Sequence, residues 1–376
     1  MRAVVWGKVG TPPAISEVDL GKVGPDEVRV KIAAAGVCHS DLHVVHGDWS
    51  GIAAPMVLGH EGSGVIVEVG TDVTDLVPGD HVVLSWVAPC GHCRACLAGR
   101  PTQCLTHANS VSAGGVLHDG TSRLSMNGAP LHHYSGVSSF AEEAIVPASG
   151  AIKVRKDAPL DVICIVGCAV ATGVGAAINV AQVRPGSSVV VVGCGGVGLN
   201  VVQGARIAGA ATIVAVDLHA EKTALACKMG ATHEVDASKG DALDAIFGIL
   251  PEGADYTFDA IGGKLTGEQC IKALAVGGVA TMVGIPKAGL TVEFEPQKLV
   301  DFDQRILGAN YGGIVPSRDI PKLVDWYVEG KLMLDELISA RCPIEDADHC
   351  LHELESGAAL RQILIPDLSS SRKEKS

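Results

Sequence analysis

Ten residues constrain this chain more than any others. In Val189-Val190-Val191-Val192-Gly193-Cys194-Gly195-Gly196-Val197-Gly198, four β-branched residues run into a turn made mostly of glycine, and a helical pattern from Leu199 to Ala208 follows. Four consecutive valines suit a strand covered on both faces, as in a parallel sheet flanked by helices. By mechanism, Gly193 permits the tight turn, Gly195 lets the backbone approach a pyrophosphate, and Gly198 lets helix and strand pack closely. Gly196 completes the turn, and the helix N-terminus behind it faces the phosphates.

Glycine spacing alone is weak, because the same pattern serves as a purely structural turn. Here the next apolar run, Ile213-Val214-Ala215-Val216, ends at Asp217. A carboxylate there can accept hydrogen bonds from both ribose hydroxyls and repels a 2'-phosphate, which favours NAD over NADP. Lys222, one turn into the following helix, either touches the same ribose or is an ordinary surface lysine.

The rhythm around this turn organises the rest. From about Ser187, apolar strands (189–192, 213–216, 256–258 and 279–283) alternate with helical stretches such as 199–208 and 221–229, the pattern of a doubly wound parallel sheet. Earlier, Val28–Ile32 and Val65–Val69 alternate with period two, and Val77-Pro78-Gly79-Asp80 turns the chain into His81–Leu84, which reads as a small β-rich domain. After Asn310 the alternation stops, and 320–328 and 347–354 read as helices that return to that first domain. The tail, 369–376, is rich in Ser and Lys and is expected to fray. A length of 376 residues with 47% hydrophobic content agrees with two domains rather than one.

Composition excludes some partners. A net charge of −13 opposes a phosphate-tracking surface, so nucleic acid is not an expected partner. The uncharged stretch Val162 to Val183 has the length of a membrane span, but Gly167, Thr172, Gly173, Gly175, Asn179 and Gln182 interrupt it and it lacks the flanking basic cluster and aromatic anchors of a spanning helix, so no membrane is expected. The N-terminus runs straight into a strand pattern, and twelve cysteines suggest reduced thiols or metal ligands, which places the chain in the cytoplasm.

Cys90, Cys93, Cys96 and Cys104 lie in a stretch, 88–136, that is dense in Gly, Ser and Asn and short of hydrophobic period. Four thiolates at C-x2-C-x2-C-x7-C suit a closed tetrahedral zinc, which would supply the order that packing does not. An iron–sulfur cluster is the chemical rival, but in that motif the fourth cysteine follows sooner and precedes proline, whereas Leu105 follows it here. A second signal is dispersed: Cys38, His60 with Glu61, and Cys168. Two cysteines and a histidine, with a fourth position open, are a known set for a catalytic zinc. Each of these residues alone is equally readable as a buried thiol or a turn histidine.

Taken together, Gly36-Val37-Cys38-His39-Ser40-Asp41-Leu42-His43, Gly59-His60-Glu61-Gly62, the four-cysteine lobe, Gly167-Cys168-Ala169-Val170-Ala171-Thr172-Gly173 and the glycine turn resemble the zinc-containing medium-chain alcohol dehydrogenases, over about Arg2 to Pro366. The resemblance implies an α/β protein: a GroES-like β-rich catalytic domain over 1–169, a Rossmann doubly wound parallel-sheet domain over 170–309, and a return to the catalytic domain over 310–376. It implies NAD and two zinc ions per chain. Cys38, His60 and Cys168 would hold a catalytic zinc, Glu61 would exchange with water on it, and Asp41 would orient His60. Ser40 would accept the alcohol proton and His43 would release it to solvent. Val197, Val283 and Ile285 would lie against the nicotinamide with Thr172 beside it, and Arg361 and His39 would lie at the pyrophosphate. It also implies a homodimer built on the edge of the Rossmann sheet.

For the substrate, the resemblance puts Trp86 where relatives carry a pocket aromatic, with Trp49 and Tyr134 along the same channel. Primary, aromatic or medium-chain alcohols and their aldehydes are therefore expected. The glutathione-dependent formaldehyde branch carries an arginine shortly after the last lobe cysteine, and Ala108 stands there. Two alternatives remain at this point: a nicotinoprotein that keeps its NAD and uses another acceptor, and a non-catalytic NAD-binding zinc protein on the same scaffold.

Overall fold

A computed structural model describes residues 1–357 and 359–368; the tail expected to fray lies outside the described residues. The chain divides into two compact units, Met1–Cys168 with the chain from Val315 onward, and Ala169–Ile314.

In the first unit the long strand Glu27–Gly36 is central. It pairs antiparallel with Glu61–Val69 on one side and with Arg361–Ile365 on the other, so residues more than 300 positions apart in the chain share one sheet. The expected strands Val28–Ile32 and Val65–Val69 are the middles of these longer elements. Their alternation fades near Ala33-Ala34-Ala35, where register shifts break the ladder between Ile32 and Ala34. Valine and isoleucine side chains from this sheet, among them Val28, Val30, Ile32, Ile66 and Val82, form one core cluster. A second cluster joins Trp6, Leu42, Leu58, Tyr134 and Phe140 to Leu351 and Leu354 of the helix Ala347–Glu355, which is how the C-terminal segment is tied to this unit. The stretch 88–136 holds short helical turns and one small hairpin, Leu124–Met126 with Ala129–His133.

The second unit is a six-stranded sheet, all parallel, in the order His233–Asp236, Thr212–Asp217, Ser188–Val192, Ala254–Asp259, Leu274–Met282, Arg305–Gly308. The chain starts in the middle, winds outward one way, and crosses back to wind the other. The strand Ser188–Val192 therefore stands at the switch point, where its carboxyl end opens a crevice for a ligand. Its valines are buried on both faces, as four in a row require. Val283, expected within the fifth strand, lies just past its end at Met282. Among the described residues no single helix is long and apolar enough to cross a membrane.

Candidate active site and metal centres

Cys38 closes the central strand and caps the helix His39–His46, whose first turn carries Asp41. The Asp41 carboxylate accepts the Cys38 backbone N–H at 3.0 Å and lies 3.4 Å from Nδ1 of His60. His60 and Glu61 enter from the neighbouring strand, and Cys168 from the far end of the unit's first segment. One ligand atom from each of Cys38, His60, Glu61 and Cys168 lies within 4.8 Å of all the others. An ion about 2.0–2.3 Å from each ligand spans such a group.

The donor set fits zinc on its own chemistry. Nε2 of His60 is buried without a hydrogen-bond partner, an expensive state that a metal at that nitrogen relieves, while Nδ1 faces Asp41 at 3.4 Å. Cys168 donates a hydrogen bond to Cys38, which holds the Cys38 thiol well below its ordinary pKa against the cost of burial, with the Arg361 and His60 charges helping. The same bond, with burial, holds Cys168 well above. The pair thus keeps one proton that a divalent cation would displace. Burial raises Glu61 to about 7 although Arg361 opposes it.

In the lobe the four sulfurs likewise lie within 4.8 Å of one another. Backbone N–H groups point at them: Cys90 to Cys104 Sγ at 3.3 Å, Cys93 to Cys90 Sγ at 3.4 Å, Leu105 to Cys93 Sγ at 3.4 Å and His107 to Cys104 Sγ at 3.4 Å. These donors stabilise thiolates. Cys90 is buried enough to resist ionisation, yet the Thr106 hydroxyl and the His92 and Cys93 amides bring it down to about 5. Amides of Cys96 and Leu105 bring Cys93 to about 7. Burial, then crowding by the other sulfurs, pushes Cys96 up to about 12. Four thiols that cannot all ionise together are what a tetrahedral dication satisfies.

In the second unit the turn after Ser188–Val192 is built as its glycines demand. Gly193 sits at φ +93°, in the left-handed region, and a Cβ on Gly198 would stand 1.7 Å from the Gly193 carbonyl oxygen. Nothing lies within 4 Å of a Cβ placed on Gly195, so space is open there. Asp217 closes the next strand; its carboxylate accepts the Cys194 N–H at 2.7 Å and the His219 N–H at 3.0 Å.

Two family models match: the alcohol dehydrogenase GroES-like domain over residues 24–156 and the zinc-binding dehydrogenase domain over 196–329. The class-3 alcohol dehydrogenase of Cereibacter sphaeroides is 38% identical, covering 97% of this chain and 99% of that protein. This chain belongs to the zinc-containing medium-chain alcohol dehydrogenase family. The S-(hydroxymethyl)glutathione dehydrogenase of Paracoccus denitrificans is 37% identical to the dehydrogenase over 97% of this chain and 99% of its own. The solved benzyl alcohol dehydrogenase of Acinetobacter calcoaceticus is 33% identical and superposes with a TM-score of 0.91, covering 97% of this chain and 98% of that one. The family brings a GroES-like domain, a Rossmann domain for NAD and the two zinc sites just described.

The dehydrogenase brings Tyr134 to the inner cluster, with its ring 5.2 Å from that of His60 and its hydroxyl donating to the Ser40 carbonyl oxygen at 3.0 Å. Trp49 packs with the same apolar cluster as Tyr134. Trp86, half-buried, packs against the cluster of Val28, Val30 and Ile66. Arg361, expected on a pyrophosphate, is 4% exposed: Nη1 donates to the Val37 carbonyl oxygen at 2.8 Å and Nη2 lies 3.4 Å from Glu61. An arginine opening a C-terminal strand carries no local sign that it will meet a glutamate 300 positions earlier. Within the second unit Thr172 and Val283 are buried, Val197 belongs to the helix Gly196–Ile207, Lys222 is half-buried, and Ile285 is exposed. In the first unit His39 is exposed and Ser40 half-buried.

Proposed function

We propose that this dehydrogenase oxidises primary, aromatic or medium-chain alcohols to aldehydes with NAD, and reduces those aldehydes in reverse. The observation that carries the reading is the inner cluster: three separated segments deliver Cys38, His60 with Glu61, and Cys168, with their ligand atoms within 4.8 Å of one another. When bound, zinc supplies Lewis acidity toward the alcohol oxygen, and NAD supplies the hydride acceptor.

The chain's own residues do the remainder. Asp41 orients His60 and anchors the Cys38 backbone. Ser40 takes the hydroxyl proton, and His43, with a side chain 17% exposed, releases it to solvent. Gly193, Gly195, Gly196 and Gly198 receive the pyrophosphate. Asp217 and Lys222 receive the ribose, and Thr172, Val197, Val283 and Ile285 the nicotinamide. Trp49 and Tyr134 present an apolar wall suited to a substrate ring or alkyl chain. Ala108 offers no charge to a substrate carboxylate, which argues against the glutathione adduct of the Paracoccus relative.

A dimer built on the second unit and a cytoplasmic setting complete the proposal. Arg305–Gly308 is the last strand of its sheet, and Val276, Phe294, Val300 and Phe302 are exposed in the same part of the chain. All twelve cysteines are free, as a reducing compartment keeps them.

The test is NADH formation with benzyl alcohol, terpenols, short primary alcohols and S-(hydroxymethyl)glutathione, on protein with zinc measured in parallel. Turnover of the aromatic and medium-chain alcohols with two zincs per chain is the expected result. Turnover of the glutathione adduct alone overturns the substrate class. Two zincs with NAD retained through gel filtration and no NADH formed overturn free NAD as the acceptor.

A further inference from the structure

The helix His39–His46 stops at Gly47, which sits in the left-handed region at φ +71°. A Cβ there would also meet Val9 Cγ2 at 2.6 Å, so the reversal is confined to glycine. The reversal folds the next residue back over the last turn, where the Asp48 N–H bonds to the His43 carbonyl oxygen at 3.0 Å. As a result the Asp48 carboxylate lies 2.8 Å from Nδ1 of His43, with the two side chains 12% and 17% exposed. The Trp49 ring lies 4.9 Å from the imidazole, tilted by 31°.

A carboxylate just beyond a helix C-terminus is on the wrong end of the dipole. Withdrawn from water as well, it requires a compensating donor. His43 Nδ1, at 2.8 Å, is placed to donate to it, and an ionised carboxylate can only accept. We propose that Asp48 is a positioning residue for proton release: it holds His43 as the Nδ1–H tautomer, and Trp49 fixes the plane of the ring. Nε2 then keeps the lone pair, takes the proton that leaves the alcohol, and the resulting imidazolium gives a proton to water. This proposal rests on the reading of His43 as the group that releases the proton.

The test compares Asp48→Asn, His43→Gln and the double variant in two measurements. The first is the tautomer of His43 by 15N-histidine NMR on protein without added cofactor, assigned by the signal lost in His43→Gln. The second is alcohol oxidation at saturating NAD. Wild type is expected to show Nδ1–H, and Asp48→Asn a shift toward Nε2–H. Asp48→Asn should lose about tenfold in kcat, a fraction of what general-base catalysis supplies, with KM little changed and part of the loss recovered by imidazole buffer. The double variant should be no slower than His43→Gln, because Asp48 acts through that ring. An unchanged tautomer in Asp48→Asn, or a loss that multiplies with that of His43→Gln, overturns the role of Asp48. If His43→Gln turns over at the wild-type rate, the relay reading falls and Asp48 with it; a slow His43→Gln beside a fast Asp48→Asn sinks Asp48 alone.

Discussion

At position 198 only hydrogen fits. Alanine normally favours a helix interior over glycine by about 1 kcal/mol, but here its Cβ would lie 1.7 Å from a carbonyl oxygen of the turn. The clash outweighs the propensity, so Gly198→Ala is expected to destabilise by roughly 1–3 kcal/mol, as overpacking does, and to weaken NADH binding at least tenfold; calorimetry and a fluorescence titration check both. His133 tests a different residue-level effect. It is fully buried, its Nε2 accepts the Arg123 N–H at 3.1 Å, and burial, with the Arg123 charge, drives it down to about 3. Unfolded, it titrates near 6.5. As pH falls from 6.5 toward 3 the unfolded chain therefore gains a proton that the folded chain refuses, and stability is lost; above 6.5 the two states match. His133→Gln keeps an acceptor for Arg123 and removes the titration. In urea melts across that window its stability should fall less steeply than wild type, by up to one proton, about 1.4 kcal/mol per pH unit. Parallel slopes would show that His133 protonates in the folded state.

Among elements, the lobe depends most on a ligand. Its helical turns are three to six residues long, Cys90, Cys93 and Cys96 are only half-buried, and Leu97 is 76% exposed, so apolar packing contributes little around the sulfurs, whereas Val111, Leu117, Leu124 and Leu131 later in the stretch are buried. Zinc binding in such a site is folding free energy. Cys104→Ser is expected to leave one zinc per chain and to open 88–136 to proteolysis while the rest of the chain resists. Zinc analysis and limited digestion report this directly. An intact lobe in that variant would mean that the backbone donors to sulfur hold it without metal. The C-terminal strand Arg361–Ile365 behaves in the opposite way: it is buried beside Glu27–Gly36 and locks Arg361 against Glu61.

For the whole molecule, the open question is assembly. The edge strand Arg305–Gly308 and the exposed Val276 and Val300, at 74% and 80%, lie on the second unit. Light scattering is expected to give twice the 38.5 kDa of one chain. Val300→Asp on an exposed surface of a monomer would change stability by no more than about 0.5 kcal/mol; at a subunit interface it should release monomers. A wild-type monomer, or a Val300→Asp dimer of unchanged affinity, would place assembly elsewhere.

Local chemistry was enough to read the parallel sheet, the glycine turn and the four-cysteine lobe. Valine runs, positive-φ glycines and C-x2-C spacing act over a few residues, so the chain's order records them directly. The inner cluster was legible only as a resemblance, because Cys38, His60 and Cys168 are separated by long stretches and meet through sheet pairing. Tertiary structure decided what neighbours in space decide. It turned Arg361 to Glu61 and folded Asp48 back onto His43. These contacts depend on burial and on which strand lies beside which, and burial is what makes a lone charge or ring nitrogen seek a partner.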